Sequence, residues 1–137
     1  IVWSRDWHPA EHVSFEAQGG KWPPHCVQNT KGAAFQAGLD EPQLILLVSK
    51  GQFPDKDQYS AFHDTGLGKE LRQRGAQRVF VGGLAQDVCV RRTVLDGLKE
   101  GFRMHLIRDA TRPVDPENGK KAIEEMEETG AQIEETA

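Results

Sequence analysis

Asp6, His8, His12 and His25 place one carboxylate and three imidazoles within twenty residues of sequence. Carboxylate oxygens and imidazole nitrogens are ligands that zinc, iron and manganese accept. Such side chains in loops are also commonly solvated or spent on capping turns, so spacing alone leaves a metal centre and a solvated loop level. Cys26, beside His25, is read as a buried structural thiol rather than a fourth ligand. A second chemical element is Cys89, which follows a glycine-punctuated turn, Gly82-Gly83-Leu84-Ala85-Gln86-Asp87-Val88. A cysteine where a helix begins meets N–H groups and a dipole that favour thiolate over thiol. The same N–H groups can hold a developing oxyanion. Taken alone, such a cysteine more often fills a helix start. Lys50 ends an apolar run. Lysines there usually reach for water, yet one at a reacting edge can lower a thiol pKa or stabilise charge. Asp87 could act as a base, but an aspartate in such a turn is better read as shaping the loop through local N–H groups. Tyr59 sits in a segment read as partly core, and Trp7 and Trp22 could wall a pocket stiffened by Pro9, Pro23 and Pro24.

The elements that must position these groups follow from hydrophobic patterning. The chain opens in what reads as the end of a strand over residues 1–4, and residues 9–43 show no sustained period, which predicts loop with short helical pieces. Residues 44–48 form an unbroken apolar run, the pattern of a parallel strand covered on both faces. A helix is expected over 67–74 with Gly75 stopping it. A buried strand is expected at 78–81, and a helix from Cys89 carries Val90, Val94, Leu95 and Leu98 at helical spacing. A strand at 104–107 is closed by Arg108-Asp109-Ala110. Asp115-Pro116-Glu117 opens a last helix with Ala122, Ile123 and Met126 on one face, and the acids of 124–135 read as its solvated side. Alternating strands and helices predict an α/β fold, a Rossmann-like parallel sheet with helices on both faces. In such sheets ligands bind beyond the carboxyl ends of the strands. Asp6 and His8, Lys50, and Cys89 all follow predicted strand ends, so they are expected to meet at one edge.

Composition bounds the rest. With 137 residues, residues 1–137 are expected to form a single domain. A formal charge of −4 gives no basic footprint for nucleic acid. No apolar run reaches membrane-spanning length, and no signal peptide is visible. Two cysteines make no disulfide framework, which points to a reducing, cytoplasmic setting. The opening Ile1-Val2-Trp3 has no initiator methionine, so the chain is expected to be truncated at its N-terminus, with a first strand missing.

Asp6-Trp7-His8-Pro9, Trp22-Pro23-Pro24-His25-Cys26, Lys50-Gly51, Tyr59-Ser60-Ala61-Phe62 and Gly83-Leu84-Ala85-Gln86-Asp87-Val88-Cys89-Val90 together resemble the nicotinamidases (pyrazinamidases) of the isochorismatase-like cysteine hydrolases. The resemblance runs in order over nearly the whole chain. It implies an amidohydrolase that converts nicotinamide to nicotinate and ammonia through a cysteine thioester, feeding NAD salvage. Cys89 is then the nucleophile and Lys50 the lysine of its triad. Backbone N–H groups of Ala85 and Cys89 form the oxyanion hole, with a cis peptide expected at Ala85–Gln86. Asp6, His8 and His25 hold a divalent metal, zinc foremost, with iron or manganese as alternatives, that meets the pyridine nitrogen. His12 matches a position that ligates or flanks the metal in some members. Trp22 and Tyr59 fall where the family sandwiches the aromatic ring, and Ala85 also borders the substrate. The implied partner is a small molecule, with no nucleic acid or membrane, and a homo-oligomer stays open.

Two departures accompany the resemblance. The family's third triad member, an aspartate at the end of the first strand, has no counterpart in this sequence. Gln86 and Val88 also vary the commoner turn residues, without expected chemistry. The alternatives are another amidase of the superfamily acting on a carbamoyl or ureido substrate, and a non-catalytic remnant that binds metal or nicotinamide without the base. An iron oxygenase using two histidines and a carboxylate is disfavoured by the alternating pattern.

Overall fold

The computed structural model describes residues 1–39 and 46–137. Contacts divide the chain into two compact units, Ile1–Ala61 and Phe62–Ala137. Every strand pair in both units is parallel, as the α/β reading requires.

In the first unit, β1 (Val2–Asp6) pairs with β2 (Leu46–Lys50), in register from Val2 opposite Leu46 to Asp6 opposite Lys50. Trp7 N–H extends the ladder by donating to the Lys50 carbonyl at 2.9 Å. β1 therefore runs two residues beyond the expected end, and Asp6 is its last residue. Of the apolar run at 44–48, Leu44 and Ile45 lie outside the described residues. The rest is a strand, but not one covered on both faces. Val48 and Lys50 are buried, whereas Leu47 on the alternate face is 42% exposed. Between the strands the chain makes two 3₁₀ turns, Glu16–Gln18 and Lys31–Ala33, as the unperiodic sequence suggested. Two isolated parallel bridges fasten this loop, His8 with Val27 and Phe15 with Trp22. They satisfy backbone groups that a long loop would otherwise leave to water.

In the second unit, β3 (Arg78–Leu84), β4 (Arg103–Arg112) and β5 (Gln132–Glu134) form one sheet in that order. The helices are α1 (Leu67–Gln73), α2 (Arg91–Lys99) and α3 (Pro116–Thr129). Met104 and Leu106 of β4, Val94 of α2 and Met126 of α3 are almost wholly buried and form the core. α2 comes so close to β4 that a Cβ on Gly97 would stand 2.4 Å from the Met104 sulfur. Asp115 caps α3 as the sequence suggested, its Oδ1 accepting from Asn118 N–H at 2.8 Å with Pro116 following.

The second unit departs from the sequence expectations at three points. The strand at 78–81 is not buried: Phe80 is 51% exposed, because β3 has only β4 beside it among the described strands. The strand at 104–107 continues to Arg112, because after an irregularity between Val81 and Gly83 its polar end pairs again, Thr111 opposite Gly83. The acidic tail is not all helix. Gly130 ends α3, and β5 follows, with Ile133 opposite Leu106 and Glu134 hydrogen-bonded to His105.

Candidate active site

The first unit holds a metal-type donor set. One ligand atom from each of Asp6, His8 and His25 lies within 4.8 Å of the other two. Asp6 ends β1, and the bridge beyond that strand carries His8 back against the loop: His8 N–H donates to the Cys26 carbonyl at 2.9 Å, and Gln28 N–H to the His8 carbonyl at 2.7 Å. The imidazole partners decide which nitrogens face a cation. His8 Nδ1 lies 3.1 Å from the His25 carbonyl, and His25 Nδ1 lies 2.8 Å from the Pro23 carbonyl. A carbonyl only accepts, so both Nδ1 atoms carry a proton, which leaves Nε2 as the atom through which each ring, when neutral, can ligate. Burial pushes the His8 pKa below its ordinary value of 6.5, against the opposing pull of the Asp6 carboxylate, and so favours the neutral, ligating form.

His12 is not part of this set. It is fully buried, its Nε2 donates to the Lys56 carbonyl at 2.9 Å, and its Nδ1 accepts from Ser14 N–H at 3.2 Å with the Ser14 hydroxyl at 2.7 Å. Both ring nitrogens are committed to protein partners, and the His12 ring centroid lies 4.4 Å from that of His8. Asp6 is shared. Its Oδ1 accepts from the ammonium of Lys50, a lysine only 4% exposed, which leaves Oδ2 for a cation. Lys50 does not reach for water; it is turned onto this carboxylate.

Trp22 and Tyr59 come together, the indole N–H donating to the tyrosine hydroxyl at 3.2 Å. The Trp22 ring stands 6.2 Å from that of His25. Three supports of this cluster had no role assigned from the sequence. Phe15, 1% exposed, packs edge-on against the rings of His8, His12 and His25. Gln58 accepts from Gly51 N–H at 3.0 Å. Gly51 itself, at φ +66°, leaves room for His8: a Cβ there would stand 2.6 Å from its Cδ2 and Nε2. The Lys50-Gly51 pair was the available signal, since glycine after a strand marks close approach.

Cys89 lies in the second unit. Ala85 is extended, and residues Gln86–Val90 form a π-helical turn that leads into α2, with Val88 and Val90 N–H both donating to the Ala85 carbonyl. Cys89 therefore stands within a wide turn ahead of the α-helix, not at the helix's first residue. The non-proline cis peptide is present one bond earlier than expected, at Leu84–Ala85 rather than Ala85–Gln86. Asp87 takes the loop-shaping role, its two oxygens accepting from Val114 N–H at 2.8 Å and Asp115 N–H at 3.1 Å. Neither Cys26 nor Cys89 forms a disulfide.

Residues 1–137 match the isochorismatase domain. The nicotinamidase of Escherichia coli is 36% identical over 156 aligned residues, covering 97% of this chain and 73% of that protein. The nicotinamidase/pyrazinamidase of Mycobacterium tuberculosis is 34% identical, covering 97% of this chain and 75% of that protein. Among solved structures, the pyrazinamidase of Pyrococcus horikoshii in complex with zinc superposes with a TM-score of 0.93 at 48% identity, over 99% of this chain and 75% of that one. PnC1 from L. infantum in complex with nicotinate gives a TM-score of 0.94 at 40% identity, over 98% and 70%. With the family model matching residues 1–137 and nicotinamidases at 34–36% identity over 97% of its length, the chain belongs to the isochorismatase family, on its nicotinamidase/pyrazinamidase branch.

Proposed function

We propose that the chain deamidates nicotinamide to nicotinate and ammonia. The observation that carries this reading is the Asp6–His8–His25 set with both Nε2 atoms left to ligate, because a nitrogen heterocycle needs a partner that a carbamoyl or ureido substrate does not. Family membership and the nicotinate-bound relative support it.

Cys89 is the nucleophile. Its thiolate sulfur bonds to the carboxamide carbon, and the carbonyl electrons move onto oxygen. The N–H groups of Ala85 and Cys89 receive that oxyanion. The carbon–nitrogen bond then breaks, and the nitrogen takes up the proton that the Cys89 thiol gave up and leaves as ammonia. Water attacks the resulting thioester, the carbon–sulfur bond breaks, and nicotinate and the free thiol remain. Lys50 contributes positive charge to the reaction while holding the Asp6 carboxylate. Trp22 and Tyr59 orient the flat ring, which is worth rate because it fixes the amide for attack.

Asp6, His8 and His25 fit a divalent cation, since one carboxylate oxygen and two neutral imidazole nitrogens are what zinc, iron or manganese bind. Zinc is the proposed ion; bound by these three residues, it would supply a Lewis acid to the ring nitrogen. The proposed setting is cytoplasmic, in NAD salvage, with a small molecule as partner; no helix among the described residues is long and apolar enough to cross a membrane. The test is ammonia release from nicotinamide and from a ureido substrate, before and after chelator treatment. Nicotinamide turnover is expected to fall at least tenfold with chelator and to return with zinc. Preference for the ureido substrate, unaffected by chelator, overturns the reading.

A further inference from the structure

The turn that carries Cys89 is tied down by its first two side chains. Asp87 holds the backbone at Val114 and Asp115. Gln86, 5% exposed, donates from Nε2 to the hydroxyl of Thr111 at 2.6 Å. Thr111 is 2% exposed, and its single hydroxyl proton is committed to the Arg108 carbonyl at 2.8 Å. The Thr111 oxygen can therefore only accept from residue 86, and the side chain there must be a donor. α3 closes over the same amide: a Cβ on Gly119 would stand 2.8 Å from Gln86 Oε1.

A π-helical turn is wider than the α-helix it precedes, is rare, and is frequent at functional sites. Here the tie to Thr111 falls at Gln86, between Ala85 and Cys89, whose N–H groups are the oxyanion donors of the proposed reaction. We propose that Gln86, anchored on Thr111, is a positioning residue that holds these two donors in place for the transition state. The proposal rests on the amidase reading and extends it to a residue that touches no substrate.

The oxyanion exists only along the reaction path, so loosening its donors lowers kcat and leaves KM nearly unchanged. Losing an oxyanion donor outright costs about 10²–10³ in kcat, so loosening a pair is expected to cost roughly 10- to 100-fold. The test compares wild type, Thr111→Val and Thr111→Ser in nicotinamide turnover and in the pH profile of Cys89 alkylation by iodoacetamide, followed on the Cys89 peptide. Alkylation displaces iodide at a saturated carbon and forms no oxyanion. Thr111→Val is expected to lose kcat while alkylating within about twofold of wild type at each pH, and Thr111→Ser, which keeps the acceptor, is expected to recover kcat. Should Thr111→Val not fold, Gln86→Met keeps the volume, drops the donor and carries the same expectation. Wild-type kcat in the variant, or equal losses in turnover and alkylation, overturns the positioning role while leaving the amidase reading standing. A wild type that releases no ammonia from nicotinamide overturns both.

Discussion

His8 and His25 are prepared as ligands by atoms that take no part in ligation. The carbonyls of His25 and Pro23 fix the Nδ1 protons, and Gly51 keeps the space beside His8 Nε2 open. Replacing Gly51 with alanine puts a methyl group 2.6 Å from the ring, and the ring cannot yield without breaking its bond to the His25 carbonyl. Zinc affinity measured by chelator competition is expected to fall about tenfold or more, the scale found when supports of metal ligands are removed. Gly19→Ala is the control. It shares the left-handed backbone at φ +85° with nothing within 4 Å of its Cβ, so it carries the conformational strain without the clash. Equal losses in the two variants contradict the steric role. Ligand types were legible in the sequence because chemistry restricts them. Which nitrogen each histidine presents was not, because carbonyls of Pro23, His25 and Lys56 decide it, and any residue supplies a carbonyl. His12 shows the consequence: identical in type to its neighbours, it is committed to Ser14 and Lys56.

At the scale of elements, α2 and α3 are joined beside the cysteine turn by Arg91, whose Nε and Nη2 donate to the two oxygens of Glu125 at 2.6 and 2.8 Å. The guanidinium holds the Glu125 carboxyl below its ordinary range. A carboxyl with a lowered folded-state pKa stabilises the fold above its unfolded pKa, about 4.3, and that stability is lost as pH falls through the folded value. Glu125→Gln is therefore expected to be less stable than wild type at neutral pH, within the ~1 kcal/mol of exposed ion pairs, with the gap closing below about pH 4. Urea titrations at pH 7 and pH 3 measure it, and a gap that widens in acid contradicts the assignment. α1 and α3 were legible because Gly75 and the Asp115-Pro116 cap are local signals. β5 was not. It has three residues, two of them polar, and it is a strand only because Ile133 meets Leu106 and Glu134 meets His105 across the sheet. The exposed Phe80 has the same origin: its side chain reads as core, but which strands stand beside β3 is not encoded locally.

For the whole molecule, a cation held by Asp6, His8 and His25 would cross-link β1 to the loop nineteen residues beyond Asp6 and bind only the folded chain. Free zinc at a hundredfold over its dissociation constant then stabilises the fold by about 2.7 kcal/mol, a rise in Tm of roughly 10 °C for a chain of this size. His25→Ala is expected to abolish the rise in scanning calorimetry, and a rise retained in that variant places the ion elsewhere. The α/β class and its parallel strands were legible from the alternation of apolar runs with helical spacing, and so was the order of the chemical groups along the chain. Amide cleavage through a thioester on Cys89 is tested most directly by trapping that intermediate. Zinc-loaded protein mixed with nicotinamide and quenched in acid within a turnover is expected to carry a nicotinoyl group on the peptide containing Cys89, and Cys89→Ala is expected to carry none. Ammonia release with no acyl group on that peptide, or release that persists in Cys89→Ala, would contradict it.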